Sequence, residues 1–194
     1  MERKVLLIDN YDSFTYNLVQ LVEEVTGERP NVVRNDELNG IDLKAYSHVI
    51  LSPGPGLPEE AGDLLKAIGL LANLKKPTLG VCLGQQAIAE QFGGSLTNLD
   101  KVYHGIGSQI KVVKPNVLFE GVPETFTAGR YHSWIVEKAT LPNELEVLCD
   151  GPEGEIMALR HKTLPILGVQ FHPESILTKE GKKMIYNFLT KIGG

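Results

Sequence analysis

The chain has 194 residues, 42% of them hydrophobic and 22% charged, and a formal net charge of −5. That size buries a full core as one domain, 1–194, and the scattered acids exclude a basic surface for nucleic acid or an anionic membrane. No apolar run approaches the ~18 residues of a bilayer span, "VLLI" is too short for a signal peptide, and two distant cysteines make no disulfide framework, so a reduced, cytoplasmic setting is expected.

In chain order, "KVLLI" at 4–8 is a continuous apolar run, as in a strand buried on both faces. Phe14, Leu18, Leu21, Val22 and Val25 then fall on one helical stripe, with Ser13 or Asp12 available as N-cap. "NVV" at 31–33 and "HVIL" at 48–51 read as short strands. A helix near 60–74 buries Leu64, Ile68 and Leu71, and Pro77 precedes the strand "TLGV". This alternation predicts an α/β fold, a mostly parallel open sheet flanked by helices.

The second half differs. Segments 109–113, 134–137, 144–149, 155–160 and 166–170 are strand-like, with little helix between them. They predict a smaller antiparallel β addition, either joined to the main sheet or separate from it. A last helix over 179–192 carries Met184, Ile185, Phe188, Leu189 and Ile192 on one face.

Cys82 lies in Gly80-Val81-Cys82-Leu83-Gly84, the cysteine counterpart of a nucleophile elbow. Glycines two positions away on either side relieve crowding where a strand turns sharply into a helix. The turn sets the sulfur beside the helix N-terminus, which favours a thiolate, and presents the Leu83 N–H to an oxyanion. A small buried hydrophobe at a strand end is the other reading of Cys82. Cys149, in alternation with Leu145 and Val147 and without flanking glycines, reads as core.

Among five histidines, His48 opens a buried strand and His161 sits at a turn before Pro165, which suits structural or solvated roles. His172 follows a buried strand in "GVQFHPES", with Glu174 two residues on. In extended chain those two side chains share a side, and a carboxylate on one ring nitrogen would aim the other at the sulfur. A surface turn is the alternative. "SPGPGLPEEAG" at 52–62 is a stiff loop whose bare backbone a ligand can approach, or a connecting turn; it lacks the spacing of a phosphate-binding loop.

These stretches resemble the class I (triad) glutamine amidotransferases, most of all the glutaminase subunits of anthranilate synthase and aminodeoxychorismate synthase. The matching segments are "DNYDSFTYNL" at 9–18, "RND" at 34–36, "SPGPG" at 52–56, "GVCLGQQAIAEQFGG" at 80–94, "HG" at 104–105, "GRYHSW" at 129–134, "EIMALRH" at 155–161 and "GVQFHPES" at 168–175. The resemblance implies a flavodoxin-like fold with Cys82 as nucleophile, His172 as general base and then acid, and Glu174 as its orienting carboxylate. It implies an oxyanion hole from the N–H groups of Gly56 and Leu83, and a glutamine site at Gly54, Pro55, Gly56, Gln86, Ser133 and Trp134.

It further implies that L-glutamine is hydrolysed without metal or organic cofactor on this chain. The ammonia passes to a chorismate-binding synthase subunit, where Mg²⁺ is expected, to make anthranilate. Aminodeoxychorismate is the alternative product, and a non-catalytic binding subunit of the same fold is a third reading. The chain departs from the family pattern at Gln85, commonly histidine, and at Ile106, often lysine.

Overall fold

A computed structural model describes residues 4–193; residues 1–3 and 194, the ends of the expected domain, lie outside the described residues. The first half alternates as the pattern predicts: β1 (Val5–Asp9), α1 (Thr15–Thr26), β2 (Asn31–Arg34), β3 (His48–Leu51), α2 (Leu64–Asn73), β4 (Thr78–Val81) and α3 (Leu83–Gln91). Then come β5 (Leu96–Asn98), β6 (Ile106–Val112), β7 (Thr125–Arg130), β8 (Trp134–Val136), β9 (Leu145–Asp150), β10 (Ile156–His161), β11 (Ile166–Val169) and α4 (Gly181–Lys191).

Among the described residues nine strands form one sheet in the order β2-β1-β3-β4-β11-β10-β9-β6-β7, and β5 pairs with β8 in a second, two-stranded sheet. β2, β1, β3, β4 and β11 run parallel to one another, whereas from β11 onward β10, β9, β6 and β7 continue the sheet antiparallel. Both expected arrangements of the second half therefore occur. Because strand side chains alternate between faces, the sheet has two apolar layers. Leu7, Ile50, Leu79 and Val169 pack under α1 and α4 with Leu18, Val22, Ile185 and Phe188. Leu6, Ile8, Val49 and Leu51 pack under α2 and α3 with Leu64, Ile68 and Ile88.

Some local expectations are corrected. The N-cap of α1 is Phe14, not Ser13 or Asp12, though Asp12 still contributes: its carboxylate accepts from the Phe14 N–H at 2.7 Å. The helix expected near 60–74 is a 3₁₀ turn at Pro58–Glu60 followed by α2, because Gly62 takes a positive φ of 55° between them. β6 starts at Ile106, not near 109. β7 was not legible, since "TFTAGR" alternates threonine with apolar residues and ends on an arginine, the texture of a loop. β5 is three residues long and carries no pattern of its own. Among the described residues no helix is long and apolar enough to cross a membrane.

Candidate active site

Parallel strands of an open α/β sheet deliver ligand sites at their carboxyl ends, and the motifs read from the sequence collect there. Beyond β1 the Asn10 N–H donates to Ser52 Oγ (2.8 Å), the Asn10 amide donates to Ser52 O (2.7 Å), and the Asn35 amide donates to Asn10 Oδ1 (3.0 Å). Three sequence-distant loops, after β1, β2 and β3, are thereby locked into one floor. Gly54 closes on it so tightly that a Cβ would lie 2.6 Å from Asn10 Cβ and 2.8 Å from Leu83 Cδ2. "DNYDSFTYNL", "RND" and "SPGPG" thus act as one unit.

Cys82 stands between β4 and α3 with φ 52° and ψ −103°, a backbone conformation rare for a residue with a side chain. The flanking glycines do what the sequence suggested. A Cβ on Gly84 would lie 2.7 Å from the Leu51 carbonyl oxygen, and one on Gly80 would collide with the first turn of α3. Gly168, on the next strand, has the same role against Gln85, whose Cβ would be 2.8 Å away. Gln85 itself is fully buried behind the elbow, its amide reaching the Ile156 carbonyl at 3.5 Å. Leu83 opens α3, and its N–H is one of those that a helix start leaves unbonded within the helix.

β4 and β11 pair in parallel with Val81 opposite Val169, and the Cys82 N–H donates to the Val169 carbonyl at 2.8 Å. That register brings residues just after β11 beside the sulfur. Gln170 Nε2 lies 3.5 Å from Cys82 Sγ, and His172, two residues on, is held by its N–H on the Gly129 carbonyl (3.0 Å). His172 Nδ1 meets Glu174 Oε1 at 2.6 Å, both side chains being almost fully buried.

The sequence anticipated this pair but not its backbone. Residues 172–175 form a turn, closed by the Ser175 N–H on the His172 carbonyl at 3.1 Å, with Pro173 at the second position that prolines favour. It is a turn, as the alternative reading had it, but a buried one. The imidazole packs against the rings of Tyr131 (centroids 4.8 Å apart) and Phe14 (5.8 Å).

Burial disfavours the His172 imidazolium, yet neighbouring Cys82 and Glu174 together outweigh it and hold the His172 pKa well above the usual 6.5. Nε2 is buried and makes no hydrogen bond of ordinary geometry, although Cys82 is close enough to act on it. Contacts of this kind tighten when substrate binds. Cys149, by contrast, is sealed in the core, and burial pushes its thiol pKa far up. It is not a second candidate.

Cys82 opens onto a cleft of about 470 Å³ lined by Gly54, Pro55, Gly56, Gln86, Ser133 and Trp134, all expected from the sequence. Leu83 is not on this lining; its side chain is buried under Gly54. Among further lining residues, Tyr103, Tyr131 and His132 carried no sequence signal of their own. Gln86 donates to the Trp134 carbonyl (2.8 Å) and to Gln170 Oε1 (3.2 Å).

Also unanticipated was a buried ion pair beside the cleft, in which Arg130 Nη2 donates to Glu155 Oε1 at 2.7 Å. The Arg130 guanidinium lies 3.5 Å from the centre of the Tyr103 ring. Arg130 falls within "GRYHSW" and Glu155 within "EIMALRH", but buried arginine and glutamate look like surface residues in a bare sequence.

A family model described as "Glutamine amidotransferase class-I" matches residues 6–192. The chain is 49% identical to the aminodeoxychorismate/anthranilate synthase component 2 of Bacillus subtilis, over 95% of each chain. It is also 49% identical to the anthranilate synthase component 2 of Pseudomonas aeruginosa, over 98% of this chain and 96% of that one. To the bifunctional protein TrpGD of Thermotoga maritima it is 47% identical over 96% of its own length, but it spans only 32% of that relative. A solved glutamine amidotransferase of Thermotoga maritima, 17% identical, shares the fold with a TM-score of 0.85 over 100% of this chain and 99% of that one. With the family model spanning nearly all of it, the chain belongs to the class-I glutamine amidotransferases.

Proposed function

We propose that this chain is the glutaminase subunit of a two-component synthase that uses chorismate, with anthranilate as the product. The observation that carries the reading is the meeting, after adjacent strands β4 and β11, of a strained Cys82 with a buried His172–Glu174 pair. The names of the relatives from Bacillus subtilis and Pseudomonas aeruginosa support the synthase.

In this reading glutamine lies in the cleft with its amino-acid end toward Gln86, Ser133, Trp134 and the Gly54-Pro55-Gly56 loop. The Cys82 thiolate attacks the side-chain carboxamide carbon, and the oxygen takes up the negative charge against the N–H groups of Leu83 and Gly56. His172 protonates the nitrogen, which leaves as ammonia, and a γ-glutamyl thioester remains. His172 then takes a proton from water, whose oxygen attacks the thioester. Glutamate forms, and Cys82 departs as the thiolate. Glu174, on Nδ1, fixes the tautomer and offsets the imidazolium charge. The scheme requires neither metal nor organic cofactor on this chain; Mg²⁺ belongs with the chorismate-binding partner.

A second product is favoured by one observation: the Bacillus subtilis relative is named for both aminodeoxychorismate and anthranilate. The test pairs this protein with each candidate synthase subunit, supplies chorismate with glutamine or ammonium, and identifies the product. Cys82→Ser is expected to abolish synthesis from glutamine and leave synthesis from ammonium intact. Undiminished glutamine use by Cys82→Ser would remove the cysteine from the chemistry, and loss of both routes would make its role structural.

A further inference from the structure

The hydrogen bonds around the cleft join into one continuous buried chain that ends on the sulfur. At its far end is Glu155, which accepts from Arg130 Nη2 at 2.7 Å. Arg130 Nε donates to His132 Nε2 at 3.2 Å. A guanidinium is always a donor, so that imidazole nitrogen is the acceptor and the ring proton sits on Nδ1. His132 Nδ1–H then donates to the Trp134 carbonyl at 3.1 Å. Burial first, and the Arg130 charge second, push the His132 pKa down to about 3, so the ring is neutral near pH 7.

The Trp134 carbonyl accepts a second bond, from Gln86 Nε2 at 2.8 Å, and this fixes which end of the Gln86 amide faces it. The remaining Gln86 N–H points to Gln170 Oε1 at 3.2 Å. The Gln170 amide is now fixed in turn: turned over, it would set nitrogen against nitrogen. Its Nε2–H therefore faces Cys82 Sγ, at 3.5 Å. Arg130 and Gln170 are wholly inaccessible to solvent.

We propose that Gln170 is a further catalytic residue, donating its Nε2–H to the Cys82 sulfur, that Gln86 is the positioning residue that holds it in that orientation, and that Glu155, Arg130 and His132 position the Trp134 carbonyl on which Gln86 rests. The proposal rests on the reading of Cys82 as nucleophile. A hydrogen bond to an ionised acceptor is roughly twice as strong as one between neutral groups. The donor thus favours the thiolate over the thiol, and again when the sulfur leaves the thioester. His172 is a titratable group that interacts with the same sulfur, and it is left unchanged in every variant below.

The test uses the whole protein and two readouts: kcat and KM for glutamine hydrolysis, and the rate of Cys82 alkylation by iodoacetamide across pH, read by peptide mass. Buried Cys149 provides an unreactive reference. Gln170→Met keeps the length of the side chain and removes the donor. It should slow alkylation near pH 7 and lower kcat, each by about tenfold, with KM little changed. At high pH its alkylation should approach that of wild type, which a merely loosened fold would not reproduce.

Gln170→Asn, an amide too short to reach the sulfur, should behave the same way and serves if the methionine variant does not fold. His132→Phe, which breaks the chain at the fourth hydrogen bond from the sulfur, should give a smaller effect in the same direction. Gln170 variants with wild-type kcat and alkylation profile would overturn the proposal while the glutaminase reading stood. A wild-type protein that hydrolyses no glutamine through Cys82 would overturn both. An unaffected His132→Phe would sink the positioning role alone.

Discussion

Gly80 and Gly84 touch backbone to backbone: a Cβ on Gly80 would stand 2.4 Å from the carbonyl carbon of Gly84 and 2.7 Å from the nitrogen of Gln85. The first turn of α3 is laid on the bare chain of β4, and nothing at the contact is a flexible side-chain end that could give way. Gly80→Ala is therefore expected to destabilise the fold by about 2–3 kcal/mol, read as a lower urea midpoint with an unchanged m-value. A midpoint equal to wild type would show that the elbow tolerates a methyl group.

Cys82 carries the cost of its own conformation. A residue with a Cβ at positive φ costs on the order of 1–3 kcal/mol, which glycine avoids. Cys82→Gly should thus be about 1 kcal/mol more stable than Cys82→Ala, although elsewhere in a fold glycine is the poorer residue. Equilibrium denaturation of the two variants decides the sign. An alanine variant as stable as the glycine variant would mean that the backbone relaxes when the sulfur is removed.

Glu174 and Cys82 both raise the pKa of His172 against the opposing effect of burial. Glu174→Gln removes one of the two supports, so the limb of the activity profile governed by His172 should move to lower pH. kcat should fall by about 10–100-fold, less than the roughly 10³-fold or greater loss expected for His172→Ala. A pH–rate profile identical to wild type would remove Glu174 from the control of the imidazole.

His132 makes an opposite prediction for stability. Its pKa falls from 6.5 to about 3 on folding, so between those values the unfolded chain binds a proton that the native chain does not. Native stability is then fully present above pH 6.5 and declines on acidification, by at most ~1.4 kcal/mol per pH unit from this group. His172, with its raised pKa, works in the reverse sense: its contribution is present below 6.5 and lost as pH rises through the folded value. His132→Gln, which keeps an acceptor for Arg130, should flatten the decline in urea midpoint between pH 6.5 and 4. An equally steep decline would assign the acid sensitivity to other groups.

What the sequence disclosed follows from the range over which each signal acts. β1, β3, β4 and β11 were legible because both faces are buried and the runs are apolar throughout. The elbow was legible because its constraint is local, two glycines within two residues of Cys82. His172 and Glu174 were paired correctly on a geometry of extended chain that the buried turn replaces. Arg130 with Glu155, and Gln170 with Gln86, were invisible as partners. Each is a polar side chain whose role depends on a neighbour 25 or 84 positions away, and nothing local distinguishes a buried amide from an exposed one. β7 was lost for a related reason, since its Thr–Phe–Thr–Ala alternation is short and its buried end is an arginine.

β4 and β11 are the fourth and fifth of nine strands, so the chemistry is anchored at the centre of the sheet, far from either edge. Central strands are typically among the last to exchange their amide hydrogens with solvent, and partial fraying of a rim does not reach them. The starting points of both segments are accordingly set by a ladder roughly 4.8 Å wide, while His172 itself is tied through the Gly129 carbonyl to β7 at the edge of the sheet. The mouth of the cleft is different: there exposed His104 and half-exposed Tyr131 stand over a centre already assembled.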